Sequence, residues 1–256
     1  MSETTLPERP EALVNNAAAK QYWEEVSADN NGMLGGFPFV SRADLRVSRS
    51  FLAKLGIGSK SGMRRVRLAL EGGAGIGRVT EGLLLDMAEE VDIIEPVAKF
   101  TAQLKERLGV RWVFNVGLED WDPTKTGDTA SESSNSSSSG KEGTEDDKDG
   151  NKHLPTYGLI WIQWCTSYLN DKQLVEFLQR CGSVLEPTTG VLVIKENIMS
   201  TGFDDFDVLD SGVTRADKSF QSLFSEAGLR VVRSEVQNFP EEAGLLPVKL
   251  YALKPR

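Results

Sequence analysis

Chemistry is concentrated first in Glu71-Gly72-Gly73-Ala74-Gly75-Ile76-Gly77-Arg78, directly behind the apolar run 66–70. An aliphatic run that ends in closely spaced glycines and passes into a helical pattern predicts a strand, a tight turn and a helix start. Glycine has no Cβ and tolerates positive φ, so a ligand can approach the backbone N–H groups of such a turn. Arg78 puts a cation at the helix start, where it can pair with a carboxylate, and Glu71 at the strand end can accept from an ammonium group. Glu95 closes the next apolar run, 91–94, at the place where an open α/β sheet binds ribose hydroxyls. The bland alternative is a plain strand-to-helix turn with a solvated arginine.

Spacing selects among nucleoside ligands. A dinucleotide site wants Gly-x-Gly-x-x-Gly to admit a pyrophosphate, whereas here Gly73-x-Gly75-x-Gly77 is followed by Arg78. An α-amino-acid group attached to a ribose answers Glu71, Arg78 and Glu95 together, and S-adenosylmethionine (SAM) is such a molecule. Gly117-Leu118-Glu119-Asp120, behind the third strand-like run, can frame an adenine or be a polar loop. Trp161 and Trp164 flank Gln163 at the end of a fourth run, where ligands of open α/β sheets bind. Strand alternation buries one indole and aims the other at the crevice. Asn197 ends the fifth run on the same rim. An aromatic wall with an amide partner suits a proline ring and its flanking peptide bonds, the alternative being that both tryptophans are core.

The elements that must position these residues alternate between strand-like and helix-like stretches, as a parallel α/β sheet requires. Strands are predicted at 66–70, 91–94, 112–116, 158–162, 191–194, 229–236 and 248–253, and helices at 77–87, 98–108, 172–184 and 214–227. Two further helical stretches, about 15–25 and 42–55, precede the first strand and form an N-terminal extension, 15–60, that can close over the crevice as a lid. Only a Pro- and acid-containing loop separates the last two strands, so they should form an antiparallel hairpin. The expected fold is therefore Rossmann-like: a seven-stranded, mostly parallel sheet with an antiparallel C-terminal hairpin strand. Residues 15–256 make a single domain behind a flexible 1–14. The segment 124–152 breaks the pattern: Ala130 is its only aliphatic side chain, and it is read as a disordered surface insertion.

Composition narrows the partners. A net charge of −9 without a basic patch argues against nucleic acid and suits a cationic substrate. Two cysteines fit a reducing compartment, and the polar start of the chain argues against secretion. No apolar run reaches membrane-spanning length. A cytoplasmic or nuclear monomer without a metal is expected.

Taken in order, Tyr22-Trp23, Met33-Leu34-Gly35-Gly36, the glycine turn, Trp161-Ile162-Gln163-Trp164, Ile194-Lys195-Glu196-Asn197 and Leu209-Asp210-Ser211 closely resemble the protein N-terminal (α-amine) methyltransferases. These are class I SAM-dependent enzymes that modify exposed X-Pro-Lys/Arg termini. The glycine motif is common among SAM enzymes, whereas the Trp-Ile-Gln-Trp segment and the Met-Leu-Gly-Gly loop are more specific. The resemblance implies that Gly73 and Arg78 bind the methionine part of SAM, Glu95 the ribose, and Leu118 and Glu119 the adenine side, with Gln163 also touching the cofactor. It implies a peptide channel of Trp23, Leu34, Trp164, Asn197, Asp207 and Asp210, and by analogy ribosomal proteins as substrates.

An α-amine is mostly protonated at neutral pH and must lose a proton before it can attack a methyl group. A carboxylate raised in pKa by a closed site can take that proton, and Asp210 is the candidate base, with Asn197 orienting the amine. The family often has a histidine four residues after the second tryptophan, where this chain has Tyr168; its one histidine, His153, borders the insertion. Weight therefore shifts to Asp210, and Tyr168 is left as a hydrogen-bonding residue of the substrate site. A SAM-dependent methyltransferase for a small amine, or a SAM-binding scaffold without catalysis, are the alternative readings.

Overall fold

The computed structural model describes residues 9–128, 154–240 and 243–256. Helix α1 (Asn16–Glu25) starts where Asn15 accepts from the Ala18 N–H, and α2 (Asn30–Met33) where Asp29 caps Gly32. Helix α3 (Ser41–Ala53) buries Asp44, Ser48, Phe51 and Leu52 along one face, the i, i+4 stripe of a helix laid on a core.

The sheet then begins with β1 (Val66–Gly72) and β2 (Ala88–Ile94), joined by a helical stretch that runs from Thr80 through the short α4 (Leu85–Met87). One turn, α5 (Ala98–Thr101), leads to β3 (Val110–Phe114), followed by β4 (Leu159–Gln163), α6 (Asp171–Ser183) and β5 (Val191–Asn197). A small hairpin, β6 (Asp205–Asp207) and β7 (Gly212–Thr214), precedes α7 (Asp217–Glu226), β8 (Leu229–Gln237) and β9 (Val248–Pro255).

The large sheet has seven strands in the order β3-β2-β1-β4-β5-β9-β8. β9 runs antiparallel to both β5 and β8, and the other pairings are parallel. Central strands covered on both faces read as continuous apolar runs, which is why β1, β4 and β5 are legible as aliphatic blocks. One core cluster packs α6 and α7 against one face, around Trp121, Tyr157 and Phe177; the other packs α3 and the post-β1 helix against the opposite face, around Phe51, Leu83 and Trp161. Strand order reverses between β1 and β4, so their carboxyl ends open a crevice.

Two helix expectations change. The helix expected at 98–108 is one turn followed by tighter i→i+3 contacts such as Leu104 N–H to Thr101 O and Arg107 N–H to Leu104 O. The helix expected from 214 starts at Asp217, because Thr214 is taken by β7 and Asp204 accepts from the Ala216 N–H at 2.7 Å and the Ser219 hydroxyl at 2.7 Å. The acidic stretch around 204–210 forms the β6–β7 hairpin and its turn.

At the N-terminus the stretch read as flexible contains a 3₁₀ turn, Pro10–Leu13, in which Glu11 is buried; residues 1–8 lie outside the described residues. Residues 129–152 of the insertion also lie outside them, but 124–128 do not, and Asp128 exchanges two backbone hydrogen bonds with Val113 at the sheet edge.

Candidate active site

Two cavities adjoin at the carboxyl edge of the sheet. The first, about 510 Å³, is lined among others by Gly73, Arg78, Glu95, Leu118, Glu119 and Gln163. The second, about 430 Å³, is lined by Leu34, Asn197, Asp207 and Asp210. Trp23, Met33, Trp164 and Tyr168 line both and so form a common wall. The structure thus gathers the predicted cofactor residues around one chamber and the predicted peptide residues around the other.

The glycine turn forms the floor of the first chamber. Gly73, Gly75 and Gly77 have φ of 66°, 53° and 86°, a region that favours glycine. A Cβ on Gly73 would stand 2.5 Å from the Cys165 Cβ, and one on Gly75 2.7 Å from the Met33 sulfur, so the cradle needs bare backbone. Glu95 accepts from the Gly75 N–H at 2.8 Å and the Val97 N–H at 2.9 Å, which fixes its carboxylate at the end of β2. Burial raises its pKa, against the pull of those two amides. Glu71 lies beneath the turn, accepts from the Thr80 hydroxyl at 2.5 Å, and is pushed by burial up to about 8. Its carboxyl is therefore predominantly protonated at neutral pH. At the far end, Arg180 donates to the carbonyls of Leu118 and Glu119, both at 2.9 Å, and ties that loop to α6.

Arg78 is not a solvated arginine. Its Nη1 donates to Asp44 at 2.8 Å, its side chain is 9% exposed, and its guanidinium lies 5.4 Å over the Trp164 ring. Gln163 accepts from the Trp161 indole at 3.0 Å and donates to both Asp44 oxygens, at 3.1 and 3.0 Å. Trp161 is fully buried, and Trp164 is the indole at the crevice. Sequence reasoning missed Asp44, and also Met33 in the shared wall. The available signal for Asp44 was a carboxylate on the buried stripe of an amphipathic helix.

The loop after β4 is held under tension. Trp164 has φ of 55°, uncommon for a residue with a large side chain and of order 1–3 kcal/mol in cost. Its backbone N–H donates to the Lys195 carbonyl at 3.1 Å. Glu196, fully inside the fold, then accepts from the Cys165 N–H, the Thr166 N–H and the Thr166 hydroxyl at 2.8, 2.8 and 2.9 Å. Buried Arg215 donates to the Thr166 and Leu169 carbonyls at 3.0 and 2.6 Å. The Trp164 indole N–H, buried in the common wall, has no partner among the described residues, leaving a donor available to a ligand.

In the second chamber Asp210 accepts from the Tyr168 hydroxyl and the Gly212 N–H, each at 2.9 Å. Burial raises the Asp210 pKa, with the nearby charge of Asp207 adding to it and the two hydrogen bonds opposing. Burial and the Asp210 charge push the Tyr168 phenol well above its usual value, so it stays a neutral donor. Trp23 meets Tyr168 edge to face, with ring centroids 6.1 Å apart. Helix α1 is docked there by Asn16, which donates to the Tyr168 carbonyl at 2.6 Å, and by the Asn15 N–H, which donates to Ser211 at 2.9 Å. Asn197 is exposed at the end of β5, and Asp207 is exposed on the hairpin.

A seven-stranded sheet in this order, with a glycine turn at the switch point and an acid ending the next strand, defines a class I SAM-dependent methyltransferase. The family described as "AdoMet dependent proline di-methyltransferase" matches residues 12–129 and 148–254, and the chain belongs to it. It is 38% identical to the alpha N-terminal protein methyltransferase 1 of Schizosaccharomyces pombe over 96% of this chain and 98% of that one. It is 34% identical to the human N-terminal Xaa-Pro-Lys N-methyltransferase 1, over 88% and 89% of the two chains. A SAM-dependent methyltransferase of Leishmania major superimposes with a TM-score of 0.73 at 31% identity, covering 93% of this chain and 82% of that one. An N1-methyltransferase of Burkholderia thailandensis, 18% identical with a TM-score of 0.65 over 100% and 94% of the two chains, shares the fold. The cofactor is SAM, and the bare glycine floor with Glu95 and Arg78 beside it fits that molecule's size, ribose and amino-acid group.

Proposed function

We propose that this chain methylates the α-amino group of proteins whose exposed N-termini read X-Pro-Lys or X-Pro-Arg. The observation that carries the reading is the pair of chambers meeting at one wall of Trp23, Met33, Trp164 and Tyr168, with carboxylates and an amide on the acceptor side. SAM supplies an electrophilic methyl group on a sulfonium. Gly73, Arg78, Glu95, Leu118, Glu119 and Gln163 hold it in the first chamber. Trp23, Leu34 and Trp164 enclose the proline in the second, and Asn197 holds the backbone at the acceptor amine. Asp210, raised in pKa by its burial, receives the ammonium proton, so that a lone pair is free to attack. Tyr168 fixes the orientation of that carboxylate. Asp207 answers the Lys or Arg side chain at the third position. The walls hold nucleophile, methyl and sulfur in line, which is where most of the rate gain of such a transfer arises.

The reading extends to ribosomal proteins as substrates and to a monomer acting in the cytoplasm or nucleus. The two cysteines, both free thiols in the fold, fit a reducing compartment. Among the described residues no helix is long and apolar enough to cross a membrane. Incubation with labelled SAM and an X-Pro-Lys peptide should label the peptide, and acetylation of its terminus should abolish the label. Equal labelling of the blocked peptide would exclude the α-amine, and labelling of small amines alone would favour the small-amine reading.

A further inference from the structure

A buried ion cluster joins the N-terminal extension to the cofactor chamber. Asp44 of α3 and Lys195 of β5 are both completely buried and ion-paired with each other, and the Lys195 ammonium also donates to the Ser48 hydroxyl at 2.9 Å and the Asp44 carbonyl at 3.2 Å. The same Asp44 carboxylate takes Arg78 and Gln163. Lys195 and Arg78 hold Asp44 below the usual carboxylate range although burial pushes the other way. Two cations therefore share one anion. Of the three charged groups only Arg78 lines the cofactor chamber, and Nη1 is the one nitrogen of its guanidinium with a protein partner among the described residues. The surplus positive charge faces the place where the amino-acid end of the cofactor belongs.

We propose that Asp44 is a positioning residue for the methyl donor: by clamping Arg78 and Gln163 against Lys195, it makes seating of the N-terminal extension and capture of the cofactor's carboxylate a single event. The consequence runs both ways by linkage. An extension held down by Asp44 presents Arg78 in one orientation, and a carboxylate bound to Arg78 stabilises the seated extension. Trp23 and Leu34, which wall the acceptor chamber, belong to that same extension. Loading of the donor thereby completes the acceptor chamber. The inference rests on the SAM-site reading.

The test compares two ligands, S-adenosylhomocysteine and its decarboxylated analogue, by calorimetry on the full chain. Wild type should prefer the carboxylated ligand. Asp44→Asn should weaken S-adenosylhomocysteine by about tenfold or more, the range of a charge-assisted hydrogen bond, while shifting the analogue by less than about twofold. Hydrogen exchange should show residues 16–53 protected by S-adenosylhomocysteine in wild type, less by the analogue, and no more by one than by the other in the variant. The double variant D44N/K195M, which leaves no unpaired buried lysine, should show the same selective loss and replaces the single variant if that one does not fold. Wild-type discrimination retained in D44N or the double variant, or tighter S-adenosylhomocysteine binding in either, would overturn the proposal. Binding of neither ligand by wild type would instead sink the cofactor site itself.

Discussion

At the scale of single residues, the proposed role of Asp210 as base depends on how that carboxylate titrates. The Tyr168 hydroxyl favours ionised Asp210, so removing it with Tyr168→Phe raises the Asp210 pKa further and moves the acid limb of the pH–rate profile to higher pH. Tyr168 itself stays neutral and adds no limb of its own. Asp210→Asn should slow a single turnover by about 10²-fold or more, the usual worth of a placed acid–base group, and an unchanged rate would remove Asp210 as the base. Glu71 makes the opposite kind of prediction. Its folded pKa of about 8 lies above the ordinary 4.5, so the fold retains a proton that the unfolded chain gives up. The stability this contributes is complete below about 4.5 and is lost as pH rises through about 8. The melting temperature of the ligand-free protein should fall across that window, and Glu71→Gln should flatten the fall. A profile that keeps its slope in the variant would assign the effect elsewhere.

At the scale of elements, legibility followed burial. Strands β1, β4, β5 and β9 are apolar because both faces are covered, and they were predicted within a few residues. Helix α6 was predicted within one residue at each end, and in the structure Asn170 and Gln173 form a capping box in front of its amphipathic run. Asn170→Ala should cost about 1 kcal/mol and lower the melting temperature by about 2–4 °C in a thermal scan. The stretch 98–108 misled because its apolar residues fall at helical spacing while its backbone closes into successive short turns. The β6–β7 hairpin was invisible for another reason: three-residue strands carrying acids have no periodicity to read.

At the scale of the whole molecule, the segment behind β3 is set apart by its sequence. Residues matched by the family stop at 129 and resume at 148, and the chain is anchored to the sheet edge at Asp128 just before that gap. Replacing 130–147 with a short Gly/Ser linker should leave kcat/KM for an X-Pro-Lys peptide within about twofold, because a segment with one aliphatic side chain has little apolar surface to bury. A loss of an order of magnitude would give the insertion a part in substrate capture. In the described remainder, α1 and the segment 33–40 close chambers built by strands that end near Gln163 and Asn197.

The sequence by itself determined the methyl donor and the class of fold. Those are carried by local chemistry: glycines that need positive φ, an acid at the end of a strand, and apolar runs whose period and order imply a parallel sheet with a terminal hairpin. It also carried, through resemblance, the residues that line the acceptor chamber. Only the tertiary structure decided what Arg78 and Gln163 are bonded to. Their partner Asp44 lies 34 residues before one and 119 before the other, on a helix whose buried face also carries Ser48, Phe51 and Leu52. Buried ionised groups must find counter-charges wherever the fold brings them, and no local pattern encodes a pairing made between a helix and the distant strands it covers.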